Sequence, residues 1–547
     1  MTFEIESFQD DTLDAEYIDH LIDRVLPEQI QQTGRLWEYF RNPMVPLSGA
    51  VSMVANAATR PYMQAQEQGL PARITGIAGA SRVGGDRNRK EVVVENDIAW
   101  RVHTMVDFLF GQEPTIRSTA SDPELAGAIE AVIEAMLQAN GGMGFLQEMA
   151  LMGSVYGHVD VAVRVPDGLV LPTPAQGSWA PRTSPRQTRR VNPTAADEPS
   201  TVAADGPGTS TTSDAAGVDR ADAAGSAGDR SSTFARAVEL ARLITLEAVE
   251  APRILPILDE DDYRTIRYWV QAYHKRPARM NVRRRGLLGL RREASPAEVE
   301  VVEIISPHWW QRYEDRVLLA QGPNRLGVLP VVHVQNLSVP NSYEGLSDVE
   351  PLIPLQDELN TRLSDRANRV TFQSFKMYLG KGIEDFLERP VGPGQMWATH
   401  NLSASVEEFG DDHGSPSEDA HIAQVRSAMD KVSGVTPVAA GLINGNVGNL
   451  TSGTALKIVL GGLLTRTNRK RLTYGAGLAG MVELALRYLD YAGVLPTRKE
   501  DRNVEIHWPN PLPNDESEAL RNAQIKAQLG LPPDRVLAEL GYTRDNR

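Results

Sequence analysis

The chain has 547 residues, 41% hydrophobic and 23% charged, with a formal net charge of −15 and no cysteine. Disulfides and thiolate metal sites are excluded, and the acidic balance argues against a protein that grips DNA tightly, because that affinity comes from Lys and Arg neutralising phosphates. A protein that lets DNA slide past remains open. The length suits several domains or one elongated, multi-part subunit. The acidic start lacks the basic and apolar regions of a signal peptide, and no run of 18 apolar residues suggests a membrane helix. A product soluble in the cytoplasm when made is expected.

Residues 14–40, 97–111 and 123–139 carry the spacing of amphipathic helices, and "HVDVAVRV" (158–165) alternates like a strand. Residues 172–232 are rich in Ala, Gly, Ser, Thr, Asp and Pro, with Trp179 the one aromatic. Such text buries too little apolar surface to offset chain entropy and reads as a disordered insertion. Strand patterns follow at 263–274, 299–306, 309–320 and 328–336.

The pattern then turns helical. Residues 345–375 open with Ser347 and Glu350 at capping-box spacing and Pro351 in the first turn; Pro354 implies a kink or a later regular start. Leu352, Leu355, Leu359, Leu363 and Val370 trace its apolar stripe. A compact strand-like stretch covers 376–410. A second helix starts at Ser415, Pro416 and Glu418, shows Ile422, Val425, Met429 and Val432 on one face, and stops at Pro437. After the loop "AGLINGNVGNLTSGTALK" (440–457) comes the longest helical pattern. It runs through Leu456, Val459, Leu460, Leu463 and Leu464, then Leu478, Met481, Val482, Ala485 and Leu489. A strand at 503–515 and two short helices close the chain.

Tests for chemistry fail. Gly448 and Gly453 have the glycine spacing of a phosphate-binding loop, but Thr454 and Ala455 stand where Lys and Ser/Thr are required, and no strand precedes. No histidine pair has zinc spacing, and no nucleophile elbow or kinase signature occurs. His413 and His421, with Glu407, Glu408, Asp411, Asp412, Glu418 and Asp419, offer either a hard-cation site or a solvated acidic loop before a helix N-terminus. The Arg-rich run 274–293 lacks interleaved aromatics and reads better as a solvated hairpin tip than as a nucleic-acid patch. Arg466, Arg469, Lys470 and Arg471 form a second basic cluster, either facing DNA or pairing with a neighbouring subunit. No catalytic residue, metal ligand or cofactor site emerges. Between Lys431 and Lys457, 25 residues carry no ionisable side chain.

In this order, several segments resemble the portal proteins of long-tailed (siphovirus-type) bacteriophages. They are "NDIAWRVHTMVDFLFGQEP" (96–114), "GPNRLGVLPVVHVQNLSVPNSYEGLSDVEPLIPLQDELNTRLSDRAN" (322–368), "TSGTALKIVLGGLL" (451–464) and "VEIHWPNPLPND" (504–515). The insertion at 172–232 departs from the family pattern. The resemblance implies a non-enzymatic, elongated α+β subunit. Its parts would be an N-terminal wing part (1–171), the insertion (172–232), a β-rich wing (233–344), a first stem helix (345–375) and a small α/β clip (376–412). A second stem helix (413–435), a tunnel loop (436–453), a long helix (454–492), a wing strand (493–515) and a short helical crown (516–547) would follow.

It further implies a homo-oligomeric ring, usually a dodecamer, at one capsid vertex of the virion, assembled in the host cytoplasm. Double-stranded DNA would be packaged and ejected through it. The terminase large subunit, the major capsid and scaffolding proteins and the head–tail connector would be partners; a membrane would not. Asn444, Gly445, Asn446, Val447, Gly448, Asn449, Thr451 and Ser452 would line the channel. Asp357, Glu358, Arg362, Asp365, Arg366 and Arg369 would be available for pairs across subunits. The competing readings are a minor capsid or connector protein that does not conduct DNA, and a nucleotide-dependent enzyme using the Gly-rich loop.

Overall fold

The computed structural model describes residues 3–8, 13–46, 62–75, 91–165, 227–276, 298–374, 377–381, 402–409, 416–441, 453–512, 516–530, 532–533 and 536–537. It is a mixed α+β chain. In order come α1 (Ala15–His20), a π-helical turn (Leu21–Val25), α2 (Leu26–Arg41), β1 (Met44–Pro46), β2 (Tyr62–Gln64), α3 (Ala72–Thr75), α4 (Asp97–Phe110), β3 (Thr115–Ser118), α5 (Pro123–Ala139), α6 (Met143–Tyr156) and β4 (His158–Arg164). Next are α7 (Ala227–Ala241), β5 (Thr245–Val249), β6 (Ile254–Leu258), β7 (Ile266–Lys275), β8 (Val299–Ile305), β9 (Trp309–Glu314), β10 (Val317–Pro323) and β11 (Val331–Gln335). The last part holds α8 (Ile353–Ser374), β12 (Met377–Lys381), β13 (Ser405–Phe409), α9 (Pro416–Ser433), α10 (Gly453–Val459), α11 (Gly461–Tyr491), β14 (Val504–His507) and α12 (Glu516–Gln528).

The strands form two principal antiparallel sheets. One is a five-stranded meander in the order β10-β9-β8-β7-β6; the other, β11-β4-β5, is three-stranded. Residues 309–320, expected as one strand, are two. Asp315 and Arg316 take φ of 47° and 62°, the left-handed pair that a tight hairpin turn needs. Arg316 is held there by Asp19 at 2.8 Å and by Asp23. The N-terminal residues Phe3, Phe8, Ile18 and Ile22 cover this meander, packing on Leu255, Val270, Val302 and Tyr313.

The largest core lies on the smaller sheet. Val159, Val161 and Val163 of β4 meet Met149 of α6 and Leu478, Met481 and Val482 of α11. β4 forms as expected, and despite its alternating sequence His158 to Val163 are all buried. Its polar face is covered as well: Asp160 accepts from Trp269 Nε1 and from Tyr343 Oη, each at 2.6 Å, and pairs with His333 Nδ1 at 2.6 Å. Burial alone would raise the Asp160 carboxyl, but hydrogen bonding and charge from His333 outweigh it and hold it low. Neighbouring His158 is pushed down to about 4 by burial and stays neutral.

The composition boundary at 232 also moves. α7 begins at Ala227, inside the stretch read as structureless. Ala237 and Ala241 are fully buried, and Phe234 and Val238 pack on the main core, so its far end repays the cost of ordering. Residues 166–226 lie outside the described residues. β14 pairs antiparallel with β3, Val504 opposite Ser118 and His507 opposite Thr115, joining the expected late strand to one the pattern did not mark.

α8 opens as expected but later. Ser347 Oγ accepts from the Val349 and Glu350 amides at 3.0 and 3.2 Å, a 3₁₀ turn spans Glu350–Leu352, and the α-helix starts at Ile353 with Pro354 in its first turn. Leu352 and Leu359 are buried, but Val370 is exposed. The more telling stripe is polar. Gln356, Asn360, Ser364 and Asn368 recur every four residues and clamp the extended segment 91–97. Asp97 N donates to Gln356 Oε1 at 3.1 Å, Glu95 N to Asn360 Oδ1 at 3.0 Å, Val93 N to Ser364 Oγ at 3.0 Å and Glu91 N to Asn368 Oδ1 at 2.7 Å. Gln356, Ser364 and Asn368 donate back to the carbonyls of Glu95, Val93 and Glu91.

The register works because four helical residues rise about 6 Å and two extended residues about 6.6 Å. The helix thus serves as a strand edge. Asn360→Leu strands the Glu95 amide and the Gln66 carbonyl it serves. A loss of about 2–3 kcal/mol is expected, from the cost of unpaired buried groups, read as a lower denaturant midpoint; an unchanged midpoint would show the clamp is idle.

Candidate functional site

The charge-free stretch leaves the C-terminal turn of α9. Gly434, at φ 72°, ends that helix with its amide on Asp430 O at 2.8 Å. Residues Pro437–Ala440 then form a 3₁₀ turn. Ile422, Val425 and Met429 of α9 are buried as expected, whereas Val432 is exposed.

The C-terminal turn of α9 is fastened by Arg101 of α4, which is 1% exposed. Its guanidinium donates to Val435 O at 2.7 Å and Ser433 Oγ at 3.1 Å, and pairs with Asp430 at 2.8 Å and Asp97 at 3.0 Å. A buried cation of this kind holds only where carboxylates and carbonyls surround it. Met105, Val435 and Leu463 make a small apolar cluster beside it. A cleft of about 780 Å³ opens next to the turn, between Trp100, His103, Asp107 and Phe108 of α4 and Pro437 and Ala440.

On the far side of the loop the helix is not continuous as expected. α10 ends at Val459, Leu460 takes φ −92° and ψ 6°, and α11 starts at Gly461. Gly461 and Gly462 permit the break. Gly462 also lies against Gly434: a Cβ on Gly434 would stand 3.3 Å from the Gly462 carbonyl carbon. The segments on either side of the loop are therefore seated backbone to backbone at Gly434 and Gly462.

The basic cluster is mostly consumed inside the chain. Lys470 is 1% exposed and meets Asp348 Oδ2 at 2.5 Å and Ser154 Oγ at 2.9 Å. Arg466 donates to Asp348 Oδ1 at 2.7 Å and to Val432 O at 3.0 Å. Arg471 donates to Pro509 O at 2.7 Å and lies over the Trp508 ring. Only Arg469 of the four is exposed. Within the chain Arg466 and Lys470 serve Asp348, and Arg471 serves the 508–509 segment. Burial pushes the Asp348 carboxyl up, but Lys470 and Arg466 outweigh that and hold it below its ordinary range. Asn336 Nδ2 completes the shell at 2.9 Å. Sequence reasoning missed Asp348 and Arg101; Asp348 has no basic residue near it in sequence, whereas Asp97 at i−4 of Arg101 was a signal that could have been read.

The first-helix charges are likewise engaged within the chain. Glu358 takes Arg362 at 2.7 Å and His421 at 3.0 Å, Arg366 pairs with Asp419 at 2.9 Å, Arg369 with Glu418, and Asp365 with Arg73 at 2.6 Å. Asp357 accepts from Tyr39 Oη at 2.7 Å. These pairs stitch α8 to α9 and to the N-terminal segments instead of standing free for a neighbour. Among the described residues no group of His, Asp or Glu is placed to hold a metal ion; His421 is committed to Glu358, and His413 lies outside the described residues. So do the loop residues Asn444, Gly445, Asn446, Val447, Gly448, Asn449, Thr451 and Ser452, and the basic run from 277 to 297. The latter connects β7 and β8, which pair in the register Lys275 to Val299. Among the described residues no helix is long and apolar enough to cross a membrane.

No curated protein matches the chain. One solved structure that is similar is a chain of the "Virion of native gene transfer agent (GTA) particle", at 11% identity and a TM-score of 0.38, covering 82% of this chain and 90% of that one. Residues 306–546 match the family described as phage portal protein, SPP1 Gp6-like. This match falls on the part of the chain that holds three of the four segments resembling portal proteins, 322–368, 451–464 and 504–515.

Proposed function

We propose that this chain is the subunit of a closed ring at a capsid vertex, through which double-stranded DNA enters and leaves. The family match over 306–546 is the observation that carries the reading. In it, residues 345–375 and 413–435 are the stem, 376–412 the clip that meets terminase and later the connector, and 436–453 the channel loop. The N-terminal and β-rich parts and the 493–515 strand form the wing, and 516–547 the crown. The role is structural; motion of the DNA is driven by a separate terminase.

The chemistry of the loop supports this reading. A ring of Lys or Arg at a constriction binds phosphates and releases counterions, and its affinity climbs steeply with each contact. A ring of carboxylates repels the backbone. The 25 residues between Lys431 and Lys457 do neither. Their glycines tolerate close approach to a passing duplex.

Negative-stain electron microscopy of the purified protein is expected to show a closed ring with an axial channel. A monomer, or an assembly without a channel, would refute the reading. Asn446→Lys or Asn449→Lys is expected to leave the ring intact and reduce DNA-filled particles by about tenfold, through added phosphate contacts. Normal filling would show that neutrality of the loop is irrelevant.

A further inference from the structure

Two exposed surface features of the chain are complementary. The first is the cleft beside the 437–440 turn. Its carboxylates, from Glu95, Asp97, Asp107 and Asp430, outnumber the guanidiniums of Arg101 and Arg426. Arg101 and Arg426 are committed to Asp97, Asp430 and Glu95. Asp107 is exposed and makes no ion pair among the described residues. The rings of Trp100 and Phe108 and the side chains of Pro437 and Ala439 give the cleft apolar walls.

The second feature is the outward stripe of α10 and α11. Ile458 and Leu472 are each 76% exposed. Lys457 and Arg469 are exposed beside them and make no ion pair among the described residues. Nine helical residues turn through about 900°, so Leu472 points opposite Leu463. Leu463 is buried against Met105 of α4. Leu472 therefore faces away from the cleft of its own copy.

We propose that the Ile458–Arg469–Leu472 stripe of one copy seats in the acid-rimmed cleft of the next, with Arg469 or Lys457 answering Asp107. This rests on the ring reading above. A patch and a socket on different faces of one chain make a head-to-tail contact, the kind that closes into rings. The contact covers two large exposed apolar side chains and pairs charges that make no ion pair among the described residues of a copy, and the charges set the register. It also places the break at Leu460, and the end of the neutral loop, at the boundary between copies.

The chain has no cysteine, so a paired-cysteine test needs no background changes. The full-length wild type is first examined for rings. Asp107→Cys and Arg469→Cys are then combined in one chain and treated with a short bismaleimide cross-linker. A ladder of covalent oligomers beyond the dimer is expected for the double variant and not for either single one. Asp107→Arg and Arg469→Asp should each weaken assembly by about tenfold, as like charges face each other, and together should restore it. Rings without a ladder and without rescue would overturn this contact and leave the ring reading standing. No assembly of the wild type would overturn both.

Discussion

Asp348→Asn should destabilise the chain by about 3–5 kcal/mol, the cost of removing one partner from a buried ion pair. Asp348 is 1% exposed and Lys470 likewise 1%. Without the carboxylate, the Lys470 ammonium and part of the Arg466 guanidinium remain buried and unbalanced, with Ser154 and Asn336 unable to neutralise them. The damage reaches function because Asp348 joins three elements. It sits at the entry to α8, binds α11 through Lys470 and Arg466, and its own amide donates to Ser154 O of α6 at 2.8 Å. Equilibrium unfolding in denaturant checks the size. Lys470→Met in the same chain should recover part of the loss, since an apolar replacement of the orphaned cation removes its desolvation cost; no recovery would mean that the pair acts through packing alone. The pH dependence has a definite sign. The folded carboxyl lies below its ordinary value. Its contribution is complete above the unfolded carboxylate pKa of about 4 and disappears as pH falls through the lower folded value. Wild type and Asp348→Asn should therefore converge in stability in acid and differ most near neutrality.

Gly157→Ala should be at least as damaging, about 3 kcal/mol or more from strain and overpacking together. Gly157 ends α6 at φ 93° and leads straight into β4. A Cβ there would lie under 3.0 Å from the Gly345 carbonyl oxygen, and a Cβ on Gly345 would collide in turn with Gly157 O and Leu337 O. Both obstacles are backbone, so no side chain can swing aside. The crossing fixes where the path to α8 leaves the smaller sheet: Gly157 O accepts from Asn336 N at 2.8 Å, and Asn336 Nδ2 reaches Leu346 O at 3.0 Å. The expected result is loss of soluble protein or a large drop in melting temperature. Gly144→Ala is the contrast, in the same helix with nothing within 4 Å of the added methyl; it should stabilise by about 0.4–1 kcal/mol. Equal tolerance of both would show that the crossing yields.

Most helices and four of the five meander strands were legible because local periodicity encodes them, whereas α6 and β6 were not marked. Ile422, Val425 and Met429 recur at helical spacing and are buried together. Val302, Ile304 and Ile305 announce a strand and lie in the sheet cores. The same rules failed where a neighbour decided the outcome. Nothing local says that 309–320 folds back on itself, or that Val370 and Val432 face out. The ladder of Gln356, Asn360, Ser364 and Asn368 was visible as a four-residue repeat, but its partner, 91–97, lies more than 250 residues earlier in the chain.

By itself the sequence determined the absence of thiol chemistry, the failure of the phosphate-loop pattern, the neutrality of residues 432–456 and the ordered motifs that point to the portal family. These depend on composition and spacing, which no fold can change. Tertiary structure alone decided what each charge is for. Arg466 and Lys470 look like a basic face when read along a helix, yet they surround Asp348, which lies more than a hundred residues away in the chain. Burial makes an unpaired charge so costly that its partner is set by what the fold brings within about 3 Å, and distance in space is what a linear pattern does not carry.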